Sequence, residues 1–222
     1  WEIKDVDPEM AAFRSITAEE EAATAIFIAI KEKNYSNAFK LKFRDHSFKA
    51  AIHPFLIAVG KFLGELEPFP SQFQLAATMR NNKRILELRI ELPDGRVIKP
   101  EPPLGFNIFS NGKGIPYQFD KQLEELASGV GKDKALSYIE ELANLRNLLL
   151  YASEDGIPRL LGNIGQILSS QQSKVFILLK VLCLIFPYKE RALFIEQCVN
   201  AFLVMMGKLE SEMDEPSDVI SK

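Results

Sequence analysis

The chain is poor in the residues that build metal centres and disulfide frameworks. Its 222 residues include two histidines, His46 and His53, and two cysteines, Cys183 and Cys198. A zinc site needs at least three protein ligands in tight geometry, and no cysteine lies near either histidine in the sequence. Both cysteines sit within strongly apolar segments, where a reduced, buried thiol acts as a small hydrophobic group. We therefore expect no metal, no cofactor and no disulfide.

Long apolar runs are also missing. The longest, residues 175–186, is interrupted by Lys180, and it is shorter than the roughly 18 residues that a membrane span requires. It predicts a core helix. The first seven residues carry four charged groups and no apolar segment, so they do not resemble a signal peptide. These features predict a cytoplasmic protein with no membrane association.

The sequence lacks a complete nucleotide-binding or nucleophile motif. The segment Ser110-Asn111-Gly112-Lys113-Gly114 superficially resembles a phosphate loop, but no serine or threonine follows the lysine to hold magnesium. A flexible turn is the better interpretation. No serine occupies a nucleophile-elbow pattern, and neither cysteine has a basic setting.

Charge is distributed unevenly along the chain, although the formal net charge is only -3. Between positions 31 and 61 basic residues outnumber acidic ones, whereas the last stretch is acidic, with Glu210, Glu212, Asp214, Glu215 and Asp218. This asymmetry is typical of a basic binding face with an acidic tail. The alternative is a solvated helix face followed by a frayed terminus.

The first third of the chain predicts two helices. Thr17-Ala18-Glu19-Glu20 has the form of a capping box, so the first helix is predicted to start at Thr17 and to end near Asn34. The second is predicted to start with Asp45 as its N-cap and to continue through Leu63. Pro54 inside it predicts a kink or a restart.

The periodicity then changes to that of strands. Leu86, Leu88, Ile90 and Leu92 alternate with charged residues, as expected of a half-buried strand. Residues 72–79 and 96–99 predict flanking strands, joined through Asn81-Asn82 and Pro93-Asp94-Gly95. The three form an antiparallel meander, and residues 100–116 are predicted to be a loop.

The remainder is predicted to be helical, with helices near 117–127, 132–152, 158–168, 171–186 and 188–210. Pro187 separates the last two, which are predicted to pack as a hairpin. The fold class is therefore mainly α: a helical bundle with a small inserted three-stranded antiparallel β-meander (α+β). Residues 1–68 and 117–210 are predicted to pack as one domain around the insertion at 69–116, with 211–222 as a disordered acidic tail.

One segment carries chemistry of interest, residues 42–49. His46 is a candidate acid–base group because imidazole titrates near neutral pH. Arg44 and Lys49 are candidates to hold a phosphodiester and to neutralise the charge that develops during its cleavage, and Lys42 is a further binding candidate. In the alternative, Asp45 caps the helix while Arg44, His46 and Lys49 form an exposed polar face.

Whether Glu20 joins this segment depends on how the two helices pack. An antiparallel pair would place His46 at the far end of the first helix, away from Glu20, whereas a parallel or crossed pair would bring them together. The sequence leaves both arrangements open.

The Glu-rich segment Ala18-Glu19-Glu20-Glu21-Ala22-Ala23, followed by Asp45-His46-Ser47-Phe48-Lys49, resembles the AbiV-type abortive-infection members of the HEPN superfamily. The resemblance covers about a third of the chain. It implies an α-helical bundle, a homodimer and metal-independent RNA cleavage in a defence or toxin protein.

The usual active motif of that superfamily is an arginine, often followed by Asn, His or Asp, with a histidine four to six residues later. Arg146-Asn147 matches its start, but Tyr151 and Ala152 stand where the histidine would be. The resemblance therefore implies Glu20, Arg44, His46, Arg146 and Asn147 as catalytic candidates, with Lys42, Lys49 and Tyr151 for binding. It also allows a degenerate nuclease that binds RNA. Arg146 and Asn147 have a structural alternative, in which they satisfy a buried carboxylate or loop carbonyls.

Two other functions remain open. The meander and the apolar C-terminal helices, rich in residues such as Phe176, Phe186 and Phe202, are also typical of a non-enzymatic interaction or dimerisation module. An enzyme acting on a small molecule through an unrecognised site is the third.

Overall fold

The computed structural model describes residues 2–65, 72–92, 94–110, 115–129, 139–144 and 163–213. The prediction of a mainly α fold with a small antiparallel sheet is confirmed. The helices are α1 (Pro8–Glu32), α2 (His46–Gly64), α3 (Asp120–Gly129), α4 (Ile164–Ile185) and α5 (Leu193–Met213). Short 3-10 turns cover Glu2–Asp5 and Ala38–Lys40, and residues 139–144 are also helical.

The first helix begins nine residues before the predicted start. Asp7 is its N-cap and accepts a hydrogen bond from the Met10 amide at 2.8 Å, with Pro8 in the first turn. The predicted capping box at Thr17 is wrong, because the Thr17 hydroxyl donates back to the Phe13 carbonyl within the helix. Glu19 and Glu20 therefore lie in the middle of α1, where they face neighbouring helices.

Helix α2 begins as predicted. The Asp45 carboxylate accepts hydrogen bonds from the Ser47 and Phe48 amides, at 2.8 and 3.4 Å. The predicted restart at Pro54 does not occur, since the helix continues to Gly64. Inside a helix, proline removes one donor and its ring crowds the carbonyl four residues earlier. Pro54 is fully buried, so packing on this face offsets that cost.

The meander is confirmed. Strands β1 (Gln72–Arg80), β2 (Lys83–Glu91) and β3 (Val97–Ile98) pair in the order β1-β2-β3 with antiparallel register. Asn81 and Asn82 both have positive φ, 47° and 60°, which is the conformation that a two-residue hairpin turn requires. The predicted loop 100–116 is only partly a loop, because β4 (Phe109–Ser110) pairs with β5 (Ile115–Pro116).

The C-terminal helices depart from the prediction. Helix α4 is one helix from residue 164, capped by the Asn163 side chain, where separate helices at 158–168 and 171–186 were expected. It packs mainly along α1, so the predicted hairpin with the last helix is wrong. Helix α5 starts at Leu193 and packs against α2.

Two further predictions fall partly or wholly outside the described residues. Of the helix expected at 132–152, only residues 139–144 are described. The acidic tail from residue 214 is not described, and α5 extends to Met213.

Helix α4 is also not the core helix that its apolar sequence predicted. Phe176 and Phe186 are 60% and 62% exposed, and with Leu179 and Cys183 they form an outward stripe. Cys183 is therefore exposed, contrary to expectation. Among the described residues α4 is the one helix long and apolar enough to cross a membrane, and only 17% of its most apolar window is buried. Length and composition alone are weak evidence for a span.

A cluster of aromatic rings fixes α1, α2 and α5 relative to one another. The Phe202 ring centroid lies 5.9 Å from that of Phe27, 5.8 Å from Phe48 and 5.5 Å from Phe55. Phe27 is two helical turns after Glu20, and Phe48 is two residues after His46. The cluster therefore holds the start of α2 across the middle of α1, which determines where Glu20 and His46 lie.

Candidate functional site

Polar and charged side chains meet where α2 and α4 pack against the middle of α1. We call them the polar cluster: Glu19, Glu20, His46, Lys49, His53, Gln171 and Lys174. All except His46 and Lys174 are buried. Burying so many polar groups is costly unless they satisfy one another, so their pairing determines what the cluster can do.

Glu20 is the centre of one half of the cluster. Its Oε1 lies 2.7 Å from His46 Nδ1, and its Oε2 lies 3.2 Å from Lys49 Nζ. The Lys49 side chain is 9% exposed, whereas that of His46 is 42% exposed. Glu20 is thus held from the inside by Lys49 and presents its other oxygen to a histidine that reaches solvent. This is the crossed arrangement that the sequence left open.

Glu19 and Lys174 form the other half. Lys174 Nζ lies 3.5 Å from Glu19 Oε2. Burial raises the pKa of the Glu19 carboxyl, an effect that Lys174 opposes and the neighbouring charge of Glu20 strengthens. Gln171 also hydrogen-bonds to Glu19, while its own Oε1 is buried with no partner among the described residues.

A small hollow of about 20 Å³ lies beside Glu19, Glu20, Lys49, Gln171 and Lys174. That volume holds about one water molecule, and the unpartnered Gln171 oxygen is a suitable acceptor for it. A substrate does not fit there. Any reacting group must approach from outside, where His46 is exposed.

His53 lies two turns after His46 on α2, but it is buried. Burial, together with the positive charge of Lys174, lowers its pKa to about 4. His53 is therefore neutral at physiological pH, and it is unsuited to proton transfer there.

The other predicted site residues have different settings. Arg44 and Lys42 are exposed and lie over the rings of Phe43 and Phe48, 5.6 and 5.3 Å from the centroids. Lys49 was predicted to bind substrate, yet it is buried against Glu20. Arg146, Asn147 and Tyr151 lie outside the described residues.

Sequence reasoning missed Glu19, His53, Gln171 and Lys174 as members of the cluster. Gln171 and Lys174 are three residues apart on one face of α4, a spacing that places polar groups together. That spacing is the only local signal, because their partner on α1 is 155 positions away from Lys174. Phe39, which is 79% exposed beside Lys40, was also missed.

Within the ranges that the structure covers, no group of three or more His, Cys, Asp or Glu residues is arranged to hold a metal ion. The chain matches no family model, no curated protein and no solved structure. What the cluster offers chemically is an exposed imidazole held by a buried carboxylate, an arrangement suited to acid–base chemistry.

Proposed function

We propose that the chain is a HEPN-like defence or toxin protein that acts on RNA, with His46 as its acid–base group. The observation that supports this most directly is the 2.7 Å contact between Glu20 and His46, from residues 26 positions apart. A carboxylate accepts hydrogen bonds and does not donate them, so His46 Nδ1 donates to Glu20. In the neutral ring the Nε2 lone pair is then free to accept a proton, and the His46 side chain is 42% exposed.

In the proposed reaction, His46 Nε2 takes the proton of an RNA 2′-hydroxyl. The 2′ oxygen attacks the adjacent phosphorus, the bond from phosphorus to the 5′ oxygen breaks, and the 5′ oxygen takes a proton from water. The hydroxide that remains takes the proton from the His46 imidazolium, which restores the neutral ring. The products are a 2′,3′-cyclic phosphate and a 5′-hydroxyl end. Glu20 stabilises the imidazolium that forms, and Lys49 acts as a positioning residue for Glu20. DNA, which has no 2′-hydroxyl, is not a substrate.

The segment between α1 and α2 supports RNA as the ligand. Residues 33–44, which we call the basic connector, contain Lys33, Lys40, Lys42 and Arg44 and no acidic residue. Basic side chains attract the phosphate backbone, and exposed aromatic rings stack on bases. Phe39 provides such a ring within the connector, which leads directly to His46.

The test compares RNA cleavage by the wild type with that by His46→Ala and Glu20→Gln. Because general acid–base catalysis contributes typically 10²–10⁴-fold, we expect His46→Ala to lose at least about 100-fold in rate. Glu20→Gln is expected to lose less, since an amide still orients the ring. EDTA should have no effect. Gel analysis of end-labelled RNA measures these three outcomes, and DNA of the same sequence should remain intact.

Lys40→Ala is the matched control, because Lys40 is exposed and outside the polar cluster; it should reduce RNA retention without removing cleavage. RNA retention without cleavage would indicate the degenerate form of the protein. Intact RNA in every sample, with no retention of RNA on immobilised protein, would overturn the proposal. Circular dichroism of each variant excludes loss of folding as the cause.

A second candidate function, a protein-interaction or dimerisation module, is favoured by the exposed stripe on α4. Phe176, Leu179, Cys183 and Phe186 recur at helical spacing over nearly three turns, and exposed apolar patches of this kind mark interaction surfaces. Light scattering, which measures the oligomeric state, distinguishes the two candidate functions when it is combined with the RNA assay. A dimer together with inert RNA in all samples favours this second candidate.

A further inference from the structure

A second feature of the molecule is unrelated to the polar cluster. A cavity of about 360 Å³ lies among α1, α2, α4 and α5 and reaches the inner face of β1 and β2. Protein interiors are normally packed without voids larger than a water molecule. Side chains that line an unfilled apolar hollow lack partner atoms on one side and lose packing contacts, so the cavity needs an explanation.

Water does not explain it. Apart from Gly60 and Cys198, every described residue that lines the cavity has a hydrocarbon side chain. A buried water molecule needs two to four polar partners, and this lining offers few. Burial raises the pKa of the Cys198 thiol well above its usual range, which fits surroundings that exclude water. The cavity is suited to an apolar occupant.

The length of the cavity lining indicates which kind of ligand fits it. Its lining on α2 runs from Ile52 to Leu63, a distance of about 16 Å at the usual helical rise. On α4 it runs from Ile177 to Ile185, about 12 Å. An extended hydrocarbon chain can follow an apolar lining of this length and bend to fit it. Ile177 and Leu75 are partly exposed, which opens the cavity to the surface.

We infer that this cavity binds one flexible hydrocarbon chain, the acyl or alkyl tail of a single-tailed lipid, with its polar end outside. The volume lies in the range of small-molecule sites, about 300–1,000 Å³. The tail lies along α2 between α4 and α5. This site is separate from the polar cluster, so the inference does not depend on the proposed action on RNA.

The experiment uses displacement of a fluorescent fatty acid, cis-parinaric acid, from the purified protein. Linear fatty acids from octanoate to palmitate compete with it, alongside the alcohols of the same lengths, all below their micelle concentrations. Because each buried methylene contributes a fixed increment, affinity should rise about fourfold per methylene and then level off when the cavity is full. If the protein recognises only the tail, acids and alcohols of equal length should compete equally well. Clearly tighter binding of the acids would show that the protein also binds the carboxylate head group.

Val199→Phe tests the location, since Val199 is buried and lines the cavity. The larger ring should occupy the space of the tail and weaken binding by roughly tenfold or more. Val204→Phe is the matched control on the same helix, because Val204 is exposed and outside the cavity; it should leave binding unchanged.

Three results would overturn the inference: no displacement at any chain length, affinity that rises without levelling off, as in surface adsorption, or equal effects of the two phenylalanine variants. The chain-length series on the wild type decides the matter if Val199→Phe does not fold.

Discussion

Lys174→Met is expected to destabilise the protein by about 3 kcal/mol, the lower end of the range for removing one partner of a buried ion pair, because the Lys174 side chain keeps some exposure. Lys174 lies 3.5 Å from Glu19, and the two side chains are 16% and 11% exposed. Without the lysine, Glu19 is left as an unpaired buried carboxylate. Urea denaturation at neutral pH measures the difference.

The stability of Lys174→Met is also expected to depend on pH differently from that of the wild type. Burial already raises the pKa of Glu19, and loss of Lys174 raises it further. When the pKa of a carboxyl is higher in the folded protein than in the unfolded chain, the protein becomes less stable as the pH rises through that folded-state pKa. The variant should therefore be more stable in mild acid than in mild alkali, relative to the wild type.

Two matched variants control for the loss of the Lys174 side chain itself. Glu19→Gln added to Lys174→Met should recover most of the lost stability, because the remaining amide carries no charge. Lys180→Met, on the exposed side of α4, should change stability by no more than about 0.5 kcal/mol. An equal effect at positions 174 and 180 would show that the buried pair does not exist.

His53 is expected to lower the free energy of unfolding in acid by up to about 3 kcal/mol. The reason is that its pKa is about 4 in the folded protein, whereas it is 6.5 in the unfolded chain. The unfolded chain binds a proton between those values and the folded chain does not. This stability is complete above pH 6.5 and is lost as pH falls towards 4. Other carboxyls titrate in the same range, and Glu19 has the opposite sign, so the wild type alone cannot isolate the effect.

His53→Leu isolates it, because leucine fills similar space and does not titrate. Denaturation of both proteins at a series of pH values should give curves that converge or cross, with the variant retaining more stability near pH 4. Parallel curves over the whole range would mean that His53 is not buried in a neutral form.

The sheet could be predicted because its signals are local. Alternation along Leu86 to Leu92 and the two asparagines at the turn specify strand, register and hairpin without help from the rest of the chain. The cap at Asp45 is equally local. The start of α1 is different, since both Asp7 with Pro8 and Thr17 with Glu20 form acceptable helix starts. Only packing of residues such as Ala11, Ala12 and Ile16 decides between them.

Which face of α4 is buried and which is exposed could not be predicted from its sequence. Phe176 and Leu179 look like core residues, and Lys174 looks like a surface residue, but their positions are reversed. The reason is a partner distant in sequence: Glu19 on α1 draws Gln171 and Lys174 inward, and the apolar stripe is left outside. Periodicity identifies a face, but it does not say which neighbour covers it.

The sequence predicted some of the residues that belong to the candidate site, but it did not predict how they are arranged in space. Glu20 and His46 were both recognised, but their meeting depends on the angle between α1 and α2. The ring cluster around Phe202 determines that angle, and Phe202 lies more than a hundred residues after either of them. Lys49 is buried for the same reason.

The contact between Glu20 and His46 is the central claim, and NMR of the histidine rings tests it most directly. The chain has two histidines, so His53→Leu assigns the remaining ring to His46. Long-range proton–nitrogen spectra, at a pH where the rings are neutral, should show the proton of His46 on Nδ1, and Glu20→Gln should shift its ring nitrogens while leaving those of His53 nearly unchanged. A proton on Nε2 of His46, with ring signals indifferent to the change at position 20, would contradict the account.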